Sequence, residues 1–205
     1  MTGIVIAGPE RQEIFREVFQ NIRVEWRTQP GTGSADFVVD LEFHSGRMEA
    51  LAALETPIIL INAVPARLPM DERFVRINAW NTFLQRPITE VVARPGRVDA
   101  VSAWCAALGK EPIFLPDVPG MPTPRVVAMI INEAYFTLGE GVSTPEEIDT
   151  AMRLGTNYPY GPFTWATLIG LPAVFELLET LSQTDPRYEI APLLREEALS
   201  HAPVA

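Results

Sequence analysis

Residues 131–171 read "INEAYFTLGEGVSTPEEIDTAMRLGTNYPYGPFTWATLIGL". A helix runs into this stretch from "PRVVAM", with Val127, Ile130, Ile131, Ala134 and Leu138 near one face at helical spacing. A second helix opens in "STPEEIDTAMRLG", residues 143–155. There Thr144 can cap, Pro145 takes the first position, where its missing N–H is no loss, and Glu147 closes a capping box. Gly155 follows its end. A third helical region, "PFTWATLIGLPAVFELLETLSQT", is interrupted at "GLP", since proline does not continue a helix. One short helix, "PLLREEAL", lies in the tail from Asp185. The pattern from about residue 119 onward is therefore helical.

Upstream the pattern changes. "GIVIAG" reads as a strand, followed by a helix over "PERQEIFREVFQNI" with Pro9 in its first turn. "RVEWRT" reads as a second strand and "QPGTGS" as a glycine-rich loop. "ADFVVDLEF" and "PIILINA" read as strands, because short runs of Val, Ile and Phe suit a sheet buried on both faces, and "FVRINAW" and "EPIFLP" read as further strands. Helices are expected over "GRMEALAALE" and "GRVDAVSAWCAALG". Strands alternating with helices imply a mostly parallel sheet in an α/β layer. "PDVPGMPTP", four prolines in nine residues, is the natural junction, so the expected domains are residues 1–118 and 119–205.

The 205 residues carry a formal net charge of −10, with 47% hydrophobic and 20% charged residues. That composition is globular, and its acidity argues against nucleic acid or an anionic membrane as the main partner. Cys105 is the single cysteine, so no intrachain disulfide forms, and it is read as inert core. The first residues lack the basic region of a signal peptide, and "PIILINAVPA", the longest apolar run, is too short to span a bilayer. A soluble cytoplasmic protein is expected.

The first strand and helix could open a dinucleotide-binding unit, which needs G-x-G-x-x-G so that the backbone can approach a pyrophosphate. Here the turn is "AGPERQE". Gly8 is its one glycine, Pro9 removes a donor, and Glu10 is expected beside the pyrophosphate. Trp26 and Arg27 stand where an acid would hold the ribose, and residues 27–35 form only a short loop. The residues favour a structural α/β layer over the usual mode of NAD binding. The two histidines are His44, read as a loop residue that could lie in a cleft, and His201 in the tail. Neither has the spacing of a metal site, so no metal is expected.

The opening stretch resembles the C-terminal domain of the 3-hydroxyacyl-CoA dehydrogenases. The residues that carry the resemblance are "NEA" at 132–134, Glu140 and Gly141, Ile148 and Asp149, Ala151 and Met152, Gly155, Pro159, "GPF" at 161–163, Gly170 and Leu171. Upstream, "ALGKEPIFLPDVPG", "ADFVVDL" and "RFVRINAWNTFLQRPITEVV" resemble further segments of that family. The resemblance implies a shortened Rossmann-like α/β domain followed by an all-helical domain through which two copies form a homodimer. It also implies NAD-dependent oxidation of a 3-hydroxyacyl-CoA, with a histidine as base, a glutamate orienting it, and a serine and an asparagine holding the substrate.

Carried over one residue at a time, Glu90 matches the glutamate and Asn81 the asparagine after the aromatic pair. Asn78 stands in the histidine's place, twelve residues before Glu90 as in the family. The family's serine-rich segment becomes "INAVP", which keeps Asn62, and its later asparagine falls on Pro124, with Arg125 retained. An amide cannot serve as a general base near neutral pH. Glu90, Asn78 and Asn81 are the candidate catalytic residues; Gly8, Asp40 and Asn62 are the candidates for cofactor contact. Tyr158, Tyr160, Phe163 and Trp165 are read as packing residues, with an acyl-lining role as the alternative. The expectation is a diverged relative without NAD-dependent catalysis, binding no cofactor and acting as a ligand-binding or regulatory homodimer with an acyl-CoA-like small molecule. The alternative is an NAD-dependent oxidoreductase with a rearranged site, using Glu90 or His44 as base. A third possibility is a subunit docking onto a complete partner enzyme.

Overall fold

A computed structural model describes residues 1–200. The chain divides into two compact units, Met1–Val118 and a second that begins at Pro119.

The first unit is built on seven strands, β1 (Thr2–Ile6), β2 (Arg23–Arg27), β3 (Phe37–Asp40), β4 (Ile59–Ile61), β5 (Phe74–Ile77), β6 (Ile88–Val92) and β7 (Glu111–Phe114). Their order is β2-β1-β3-β4-β5-β6-β7, and every neighbouring pair is parallel except β5 and β6. Helices α1 (Pro9–Phe15), α2 (Met48–Ala52) and α3 (Val98–Ala107) complete a Rossmann-like unit. Successive strand residues point to opposite faces. Val5, Val39 and Leu60 therefore enter a core with Phe15, Phe19, Phe37 and Trp104, while Ile4, Ile6, Val38 and Ile59 enter a second core with Leu51 and Leu54. Each fully buried side chain of this size contributes about 1.5–3 kcal/mol. Cys105 is buried in the first core, and burial pushes its thiol up to about 12, so it stays protonated and unreactive near neutral pH.

Two elements depart from the sequence pattern. The helix expected over residues 9–22 ends at Phe15 and tightens into a 3-10 turn at Arg16–Phe19, which carries both Phe15 and Phe19 into the core. Strand β6 does not stand out in the residue pattern, because "ITEVV" places Thr89 and Glu90 among its buried positions.

The second unit contains α4 (Pro122–Gly139), α5 (Pro145–Thr156), α6 (Pro162–Ile169), α7 (Leu171–Ser182) and α8 (Pro192–Ser200). Val127, Ile131 and Ala134 of α4 are buried as expected, joined by Ala128 and Tyr135, while Ile130 and Leu138 are only half-buried. Asn132 fastens α4 to the segment before α8: its amide donates to Glu189 O at 2.8 Å and its Oδ1 accepts from Ala191 N at 2.9 Å. The capping box at Thr144 and Glu147 is formed, and Asn157 ends α5 in the left-handed region. Helices α6 and α7 meet at 98° about Gly170, whose φ of +95° suits glycine. No single described helix is long and apolar enough to cross a membrane.

"NYPYGPF" has a mechanical explanation in this unit. The N-cap of α6 is Gly161, which has no side chain to offer. Asp149, reaching across from α5, accepts from Phe163 N at 2.8 Å and Thr164 N at 2.9 Å. A Cβ on Gly161 would overlap the Asp149 side chain and its Cα. Tyr158 and Tyr160 pack on the buried Trp165, and Tyr135 packs on Phe163.

Candidate functional site

The antiparallel pairing of β5 and β6 places residue 78 opposite residue 90. Asn78 N donates to Glu90 O at 3.1 Å, extending the ladder by one step. Their side chains follow: Asn78 Nδ2 donates to Glu90 Oε2 at 2.9 Å, and Asn78 Oδ1 accepts from Trp80 N at 3.3 Å. Asn78 and Glu90 are 4% and 8% exposed. The pair is thus a buried amide–carboxylate dyad. Asn78 Nδ2 is a donor only, so it can orient or hold an oxygen but cannot remove a proton.

The other candidates are engaged separately. Asn81 Oδ1 accepts from Thr82 N at 2.8 Å and from Gln85 Nε2 at 3.0 Å, shaping the turn in which Thr82 takes a φ of +76°. Asn62 Oδ1 accepts from Ala79 N at 3.1 Å and its Nδ2 donates to Leu41 O at 3.2 Å, which ties the ends of β3, β4 and β5 together. His44 is exposed, in the connection after β3. His201 lies outside the described residues. Among the described residues, no group of three or more His, Cys, Asp and Glu side chains is placed to hold a metal ion.

The turn between β1 and α1 tests the fit of a dinucleotide. A pyrophosphate in that seat needs free backbone N–H groups and no competing anion. Gly8 N donates to Glu42 Oε2 at 2.9 Å, so the carboxylate of the residue two beyond β3 already holds that amide. Glu10, the acid expected here, is exposed in the first turn of α1. Asp40 is fully buried; its Oδ1 accepts from Arg47 Nη1 at 3.0 Å and from Glu42 N at 2.9 Å. Burial pushes the Asp40 carboxyl above its ordinary range, against the opposing pull of the Glu42 N–H and of Arg47. Arg11, half-buried on α1, donates to Ala79 O at 3.4 Å; burial lowers its pKa, while Glu42 and Asp40 act to raise it. At the end of β2, Arg27 donates to both Glu25 carboxylate oxygens at 2.7 and 3.0 Å, to Pro30 O at 2.9 Å and to Thr32 O at 3.0 Å. These residues do not fit a dinucleotide in the usual position. Glu42, Arg47 and Arg11 were not singled out from sequence, where an acid after a strand and basic residues on neighbouring turns carry no recognisable spacing.

Comparisons with known proteins agree with the fold. Residues 120–201 match the family model for the 3-hydroxyacyl-CoA dehydrogenase C-terminal domain. The 3-hydroxyadipyl-CoA dehydrogenase of Escherichia coli K12 is 39% identical over 132 residues, which cover 57% of this chain and 28% of that protein. A 3-hydroxybutyryl-CoA dehydrogenase of Bradyrhizobium diazoefficiens is 34% identical over 152 residues, covering 71% of this chain and 52% of that one. The chain therefore spans about half, or less, of the length of these relatives. The crystal structure of (S)-3-hydroxybutyryl-CoA dehydrogenase from Ralstonia eutropha superposes with a TM-score of 0.72 at 24% identity, covering 97% of this chain and 93% of that one, a likeness of fold.

Proposed function

Because the chain belongs to the 3-hydroxyacyl-CoA dehydrogenase family, we propose that it is a diverged, ligand-binding homodimer that has given up NAD-dependent oxidation. The observation that carries this reading is the buried Asn78–Glu90 pair, an orienting carboxylate whose partner has no titratable proton. The ligand class follows from the relatives, which are named for acyl-CoA substrates. Titration calorimetry of the purified protein with acetoacetyl-CoA is expected to show saturable binding with one site per protomer. Heats no larger than those of dilution would remove the ligand assignment.

The homodimer rests on the second unit. Helix α5 is well capped and amphipathic, yet none of its residues is buried within the chain. An isolated helix of this length is marginal unless its apolar face is covered. That face borders a groove of 970 Å³ whose walls include Val126, Met129, Ile130, Val142, Ile148 and Met152. Val126 and Val142 are 59% and 66% exposed. Arg125 and Arg187 lie on the groove together with Glu133 and Glu147, so both signs are present, which suits a self-complementary two-fold contact. Ile148→Glu is expected to shift the protein from dimer to monomer by light scattering while leaving its helical circular dichroism in place. A variant that stays dimeric would place the contact elsewhere.

A second reading has an observation of its own: the relatives are named as dehydrogenases. On that reading the chain is an NAD-dependent oxidoreductase with a rearranged site. Formation of NADH from 3-hydroxyacyl-CoA separates the two readings.

A further inference from the structure

The sheet order β2-β1-β3 puts the end of β1 between the ends of its two neighbours. One side chain bridges across it. Arg47 donates through Nη1 to Asp40 Oδ1 at the end of β3 and through Nη2 to Thr28 O, just past β2, at 3.0 and 3.3 Å. The same Nη1 also reaches Glu42 O at 3.3 Å. Beside it, Glu42 Oε2 holds the Gly8 amide that leads from β1 into α1. Asp40 is 0% exposed, so the Arg47 charge has a buried counter-charge to answer. Arg27, at the end of β2, is taken up by Glu25 and the loop carbonyls, which ties down residues 28–32 where a longer dinucleotide unit would continue.

We infer that Glu42 and Arg47 form a fixed polar strap over the end of β1, in the place where a dinucleotide's pyrophosphate would lie, so that the unit is held together by its own side chains and takes no dinucleotide there. A pyrophosphate entering this place would have to displace the Glu42 carboxylate from Gly8 N and meet that charge at close range. Arg47 could turn to meet it only by leaving Asp40, a buried carboxylate, without its cation. This goes beyond the proposed function, which rests on the missing base; a site can lose its base and still hold a cofactor.

The test uses the full chain, NADH fluorescence and thermal melting. Wild type is expected to give no enhancement of NADH fluorescence at millimolar concentration and no rise in melting temperature, since a ligand that binds the native state raises it. Arg47→Ala is expected to lower the melting temperature by about 10 °C, because it strands Asp40. Glu42→Ala is expected to lower it by a few degrees and Glu42→Gln by less, since the amide oxygen still accepts from Gly8 N. If Arg47→Ala does not fold, the two Glu42 variants carry the test. Saturable NADH binding by wild type, or Glu42 variants that melt with wild type, would overturn the inference. Failure to bind acetoacetyl-CoA would sink the ligand assignment and leave the strap untouched.

Discussion

Purified protein supplied with NAD and 3-hydroxybutyryl-CoA is expected to form NADH at least about 10²–10⁴-fold more slowly than a dehydrogenase with its base in place, the range that loss of a general base typically costs. The estimate is a lower bound on the deficit, because the end of β1 is also closed by Glu42 and Arg47. Glu90 does not rescue the step as the geometry stands. It sits in β6, 8% exposed, with Oε2 accepting from Asn78 Nδ2, so that oxygen is already engaged in the buried pair. Asn78→His is the informative variant. It would set an imidazole opposite Glu90 with the family's spacing and an acceptor already 2.9 Å from the replaced atom. If the base were the one missing part, turnover would rise by about 10²-fold or more. With the cofactor seat closed as well, turnover in Asn78→His is expected to stay at background. Appreciable NADH formation by the wild type would instead establish the oxidoreductase reading, and Glu90 and His44 would then be the bases to remove first.

Gly161→Ala is expected to destabilise the helical unit by about 3 kcal/mol, combining overpacking of roughly 1–3 kcal/mol with loss of a helix cap worth about 1 kcal/mol. The added methyl would meet Asp149 at its carboxylate and at its Cα, and a backbone atom cannot be moved aside by a rotamer change. If Asp149 retreats, it releases Phe163 N and Thr164 N, the two donors that its carboxylate satisfies at the start of α6. It also withdraws a negative charge from a helix N-terminus. For a unit of this size the melting temperature should fall by more than about 10 °C. Asp149→Ala isolates the capping part: it removes the same hydrogen bonds with no overlap, and its cost should be about 1–3 kcal/mol, below that of Gly161→Ala. A Gly161→Ala protein that melts with wild type would mean that the α5–α6 turn can shift, and that Asp149 does not fix its position.

The sequence by itself determined the elements whose causes are local. Thr144, Pro145 and Glu147 start α5 because a cap, a first-turn proline and a returning carboxylate act within four residues. The runs at 37–40 and 59–61 declare buried strands by composition alone, and "GLP" announces the break between α6 and α7. The candidate pair Asn78 and Glu90 could also be named from sequence, since the two keep a spacing that the family resemblance makes readable. What the sequence left open depends on contacts between distant residues. The antiparallel turn of β6, which sets Asn78 across from Glu90, is a property of strand pairing, and "ITEVV" carries no mark of its direction. Asp149 as the cap of α6 joins residues 14 and 15 positions apart, outside any local capping pattern. Glu42 on the Gly8 amide spans 34 residues and depends on β3 lying beside β1. A glycine turn shows in sequence whether it can approach an anion. Only the tertiary structure decides whose anion it holds, because the sheet order brings that carboxylate to it.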